Sequence, residues 1–125
     1  MKHYDPLKPP APEQWRTIGE QQQIQLVQDY HRRARIRLPN AMVHAVIHAV
    51  VENQIALGDE TPVRRTVQRL ISEGLDRHES IHAVGSVLAG HMNDLLRGSD
   101  AGADPNSSYY VALGQLTAKD WLQSG

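Results

Sequence analysis

Apolar residues recur along this chain every three or four positions, and Gly, Pro and Asn cut that rhythm into segments. Ile24, Val27 and Tyr30 predict a first long helix from about Ile18 to Ala34, with Thr17-Ile18-Gly19-Glu20 at capping-box spacing. Leu38-Pro39-Asn40 breaks the pattern. Asn40 is a good N-cap for a second helix, Ala41 to Leu57, which Gly58 ends. Its apolar residues Val43, Val46, Ile47, Val50, Val51 and Leu57 cover a broad arc, so this reads as the most buried helix. Thr61-Pro62 opens a third helix that runs to about Ser72, with Val63, Val67, Leu70 and Ile71 inward and Gly74 closing it. Asp76 caps a fourth helix, with Glu79 three residues later as its capping-box partner. That helix runs to about Leu96, stops at Gly98, and carries a stripe of Ile81, Val84, Leu88, Met92 and Leu95.

The flanks differ. Residues 1–13 hold Pro6, Pro9, Pro10 and Pro12 and predict an extended arm, because proline fixes φ and removes a backbone donor. Tyr4, Leu7 and Trp15 are its candidate anchors. A helical core spans 14–97, a polar flexible loop 98–108 (GSDAGADPNSS), and a helical tail 109–125 with Tyr109, Tyr110, Leu113, Leu116 and Trp121 on an apolar face. No strand run appears. The expectation is all-α: one domain of 125 residues, a compact bundle of about four main helices.

Composition narrows the chemistry. There is no cysteine, which excludes disulfides, thiolate metal sites and cysteine nucleophiles. A formal net charge of −1 argues against a strongly basic nucleic-acid binder. The longest apolar stretch, Ala41 to Val51, is interrupted by His44 and His48 and is too short to span a bilayer. The opening MKHYDPLKPP lacks the apolar core of a signal peptide, so the expected placement is soluble and cytoplasmic, with no membrane partner.

Against that background one phrase stands out. Residues 44–50 read HAVIHAV and residues 78–84 read HESIHAV, identical at five of seven positions. Each copy sets two histidines four apart, on one face of a helix. With His44 at the origin of a helical wheel, His48 lies roughly 40° round and Glu52 roughly 80°. His78 and His82 repeat that phase beside their own apolar stripe. If two short connections make the second and fourth helices parallel, all four histidines meet. Neutral imidazoles bind Zn, Fe, Mn or Ni, and Glu52 would be a further ligand or would orient an imidazole.

Other readings compete. Histidines at the edge of a helical core commonly bond to carboxylates or carbonyls and need no ion. His78-Glu79-Ser80-Ile81-His82 also spells HExxH, with Glu79 as the base of a zinc hydrolase. The usual third ligand position is Leu88, however, and His91 lies on another face. A di-iron bundle site needs two Glu-x-x-His units, and only Glu79-x-x-His82 is present. Arg32, Arg33, Arg35 and Arg37, with Arg64, Arg65 and Arg69, suit phosphate or carboxylate recognition or else a solvated helix end. Asn53 and Gln54 are candidates for a buried polar network with Arg77 or the histidines.

Two strings carry a family resemblance: His44-x3-His48-x-Val50-Val51-Glu52-Asn53-Gln54, and Arg69-Leu70-x3-Gly74-Leu75-x-Arg77-His78-Glu79-x-Ile81-His82. With Tyr4-Asp5-Pro6-Leu7 and Trp15 they make the chain resemble the bacterial family catalogued as domain of unknown function 1841, over most of its first 96 residues. Ser80 stands where alanine is expected. The resemblance implies a small bacterial cytosolic protein and supplies no catalytic assignment. Two functional classes therefore stand: a divalent-metal-binding bundle, extending to a metal-dependent hydrolase, and a non-catalytic interaction module or homo-oligomer with structural histidines.

Overall fold

The computed structural model describes residues 1–36, 40–98 and 106–124. It is an all-α bundle: α1 (Pro12–Thr17), α2 (Glu20–Arg33), α3 (Ala41–Ala56), α4 (Val63–Ser72), α5 (Arg77–Leu96), α6 (Ser107–Gln115) and α7 (Ala118–Ser124), with a 3-10 turn at Gly58–Glu60. No strand occurs among the described residues. The Leu38-Pro39 break and most of the 98–108 loop lie outside the described residues.

Local signals set most boundaries. Asn40 Oδ1 accepts from Val43 N at 3.3 Å and starts α3; Asp76 Oδ1 accepts from Glu79 N at 2.7 Å and starts α5. Gly74 and Gly98, at φ of 116° and 70°, follow the ends of α4 and α5 in a conformation few side chains tolerate. The first helix departs from expectation. Pro12 nucleates a separate short helix, and the Thr17 hydroxyl donates back to Gln14 O at 2.8 Å. The 17–20 capping box therefore does not form, and α2 starts after Gly19 without a side-chain cap. Ile71, Met92 and Leu95, expected to face inward, are exposed.

The buried apolar residues form two clusters. Tyr4, Trp15, Leu26, Val27, Ala45 and Ala49 make one, so Tyr4 and Trp15 anchor the arm whereas Leu7 is exposed. Val51, Val63, Val67, Leu70, Ile81, Val84, Leu88, Tyr109 and Leu113 belong to the other. Helix α3 contributes to both.

Helices α3 and α5 pack antiparallel, contrary to the parallel arrangement expected. Glu52, near the end of α3, pairs with Arg77 at the start of α5, while His44 and Ser86 share a cavity wall at the opposite end. Short α4 bridges the ends of the two helices instead of returning the chain to its starting level. Gly85 favours their close approach: a Cβ there would lie 3.0 Å from Ile47 Cγ2, which would have to shift by a few tenths of an ångström.

A candidate metal centre

His31 of α2, His48 of α3, and His78 and His82 of α5 converge at the seam between the two apolar clusters. One ring nitrogen from each lies within 4.8 Å of the other three. Their ring centroids are 4.2 Å apart for His78–His82, 5.3 Å for both His31–His78 and His48–His78, and 5.8 Å for the widest pair, His31–His82. Three of the four candidate ligands named from sequence are thus brought together. His44 is exposed and stands outside this group, on the wall of the adjoining cavity.

Its place is taken by His31, which lies one turn after Val27 on the buried face of α2 and in line with buried Gln23. That Gln23–Val27–His31 spacing is the signal in the sequence. It is masked because a tyrosine and three arginines surround His31, and because Tyr30 already accounts for the apolar rhythm.

Neighbouring groups determine which nitrogens are free. His31 Nδ1 lies 2.9 Å from Val27 O, which can only accept, so Nδ1 carries the proton and Nε2 is bare. Tyr4 links His48 to Glu52: its hydroxyl donates to Glu52 Oε2 and sits 2.7 Å from His48 Nε2. With the tyrosine proton directed at the carboxylate, His48 Nε2–H donates to the tyrosine oxygen and leaves Nδ1 bare. His31 Nε2, His48 Nδ1 and His78 Nε2 are all buried without a hydrogen-bond partner. Buried polar atoms are nearly always paired, so three such atoms on members of one histidine cluster are a feature to be explained.

Glu52 is a supporting residue rather than a ligand. Both its oxygens accept from Arg77, at 2.7 Å each, and Arg77 also donates to Pro6 O at 2.9 Å. The pair is almost fully buried, with side-chain exposures of 1% and 8%. A chain of bonds therefore runs from the Pro6 carbonyl through Arg77, Glu52 and Tyr4 to the His48 imidazole. It fixes the tautomer and ring plane of His48, the kind of support that outer partners give to metal-binding histidines.

The electrostatics agree. Burial, reinforced by the neighbouring imidazoles, holds His48 well below the ordinary histidine range. Burial lowers His78 to about 4, with His82 and His31 adding to the effect, and likewise lowers His31 and His82. The imidazoles are therefore neutral at pH 7, the form that ligates metal. Burial and the adjacent Glu52 push the Tyr4 hydroxyl far upward, which keeps it protonated as the link.

Several expectations fall elsewhere. Glu79 does not face the cluster as a base would: its Oε1 accepts from Trp121 Nε1 at 2.6 Å. Asn53 pairs with Gln23 through two 3.0 Å bonds, and Gln54 accepts from Tyr109 at 2.8 Å, so neither joins Arg77 or the histidines. His91 stacks on Tyr109 with a centroid separation of 5.4 Å, away from the cluster. Arg33 donates to Tyr4 O, Arg64 pairs with Asp59, and Arg69 reaches Glu73 and Leu113 O, which turns three of the listed arginines to internal use.

A cavity of about 330 Å³ adjoins the centre, lined by His44, His48, His82, Gly85, Ser86 and Trp121 among others. No described helix is long and apolar enough to cross a membrane. No family model, no curated protein and no solved structure matches the chain.

Proposed function

We propose that this protein is a helical divalent-metal-binding protein whose ion is held by His31, His48, His78 and His82. The observation that carries the reading is the convergence of four imidazoles, each with a ring nitrogen within 4.8 Å of the others, and three of these residues also hold a buried, unpartnered nitrogen. Donors at 2.0–2.1 Å from one zinc lie about 3.4 Å apart at tetrahedral angles, so a spread of up to 4.8 Å closes with small side-chain adjustments. An all-imidazole set favours Zn, Ni or Fe over the harder Mn. Asp76, Asp5 and Glu79 supply negative charge near His78 and His82 and offset the added cation. We also propose membership of the domain of unknown function 1841 family: the residues that carry that resemblance include Tyr4, His48, Glu52, Arg77, His78 and His82, the site and its support.

Elemental analysis of protein purified without chelator, followed by titration of the stripped protein with Zn²⁺ and Ni²⁺, tests the reading. One ion per chain is expected, with proton release at low pH as the imidazoles are captured. Failure to retain any of Zn, Ni, Fe or Mn after reconstitution would overturn it.

A further inference from the structure

The four histidines are not equivalent. His48 is 2% exposed and tied down through Tyr4; His31 is buried and tied to Val27 O. His78 keeps its Nε2 sealed. His78 and His82 are both half-buried, and no hydrogen bond holds either ring among the described residues, but His82 has no nitrogen sealed in this way. It is also the member that, with His48, forms the wall of the 330 Å³ cavity.

That cavity has the makings of a ligand pocket. Its volume, about 330 Å³, falls at the lower end of the roughly 300–1,000 Å³ typical of small-molecule sites. Ile47, Ile81, Ala89 and the Trp121 indole give it an apolar body, and Gly85 lets Ile47 pack closely along one side of it. Trp121 is anchored by Glu79, which fixes that wall. The polar residues of its lining are His48 and His82, which join it to the histidine cluster, and the exposed His44 and Ser86. A pocket with an apolar body and a metal at one end selects a molecule of matching polarity.

We propose that His82 is an exchangeable ligand, and that the cavity admits a small, largely apolar molecule bearing one donor atom, which replaces His82 on the ion. This rests on the metal reading above. The test uses protein loaded with Co²⁺, whose visible absorption reports its ligands, titrated with imidazole and with 4-phenylimidazole, the same donor with an apolar body. The phenyl compound is expected to change the spectrum with at least tenfold higher affinity. Filling the cavity with Ala89→Trp, or with Ser86→Trp should the first fail to fold, is expected to remove that preference while the Co²⁺ stays bound. In excess Co²⁺, His82→Ala is expected to bind imidazole more tightly, because no side chain has to be displaced. Equal affinities for the two probes, a preference that survives both tryptophans, or an imidazole affinity unchanged in His82→Ala would overturn the proposal and leave the metal reading standing. Absence of any Co²⁺ spectrum would instead bring down both.

Discussion

The two copies of the HxxIHAV phrase have different fates. In α5 both histidines enter the centre; in α3 only the second does, and His44 stays at the surface. Helical phase is the same in both copies, so phase cannot be the cause. The cause is direction and register. Because α3 and α5 run antiparallel, advancing along one means retreating along the other. The Glu52–Arg77 pair and the Ile47–Gly85 approach fix the slide between them. At that slide His48 meets His82, Glu52 lies near the level of His78, and His44 lies near the level of Ser86. A repeated motif therefore reports which face is shared, while a salt bridge and a glycine decide which members of the repeat meet.

The comparison can be broken at its fixed point. Glu52→Ala would leave the Arg77 guanidinium buried and unpaired, and is expected to destabilise the fold by about 3–5 kcal/mol in urea unfolding. A loss below about 1 kcal/mol would show that the pair does not set the register. Next come the histidines themselves. His78→Ala and His31→Ala are each expected to weaken Zn²⁺ binding by about a hundredfold or more, beyond the 10–100-fold typical of outer partners; His44→Ala should change it by less than about threefold. Calorimetric titration of all three variants distinguishes them, and an effect of His44→Ala equal to that of His31→Ala would restore His44 to the centre. Tyr4→Phe removes only the link between Glu52 and His48. It should cost about 1–3 kcal/mol of stability through the unpaired His48 nitrogen, and about tenfold in Zn²⁺ affinity.

The smallest effect per residue is on acid stability. Since His31, His48, His78 and His82 have lowered pKa values in the fold, the unfolded chain binds more protons below its ordinary histidine value of 6.5. Their contribution is complete above pH 6.5 and is lost as pH falls towards 4, the value for His78. Metal-free protein should show this decline between pH 6.5 and 4 in denaturation midpoints, and His78→Gln should flatten it. An unchanged slope in that variant would mean that His78 is not held neutral.

Much of this was legible in the sequence. The ends of α3, α4 and α5 follow from Asn40, Thr61-Pro62, Asp76 and the glycines, because caps act locally. The pairing of His48 with His78 and His82 follows from periodicity. What periodicity lacks is an axial coordinate: a wheel assigns a residue to a face and says nothing of its level against a neighbour. His44 was misplaced for that reason. His31 was overlooked because its helix brings a single histidine, flanked by charge, and only the packing of α2 on α3 gives it company. Tyr4 is legible as an anchor of the arm, but its link between Glu52 and His48 is not, since an arm of prolines carries no repeat that sets its level against α3.

The Arg77–Pro6 bond spans 71 positions of the chain. Its consequence concerns order in time. During synthesis from the N-terminus, Tyr4 finds its partners once α3 has emerged, whereas Pro6 waits for the start of α5 to receive its carbonyl. His31 and His48 emerge early as well, but they gain their partners from α5 only at that same late stage. The Pro6 end of the arm and the histidine centre are thus closed by one event, the arrival of Arg77 with His78 and His82.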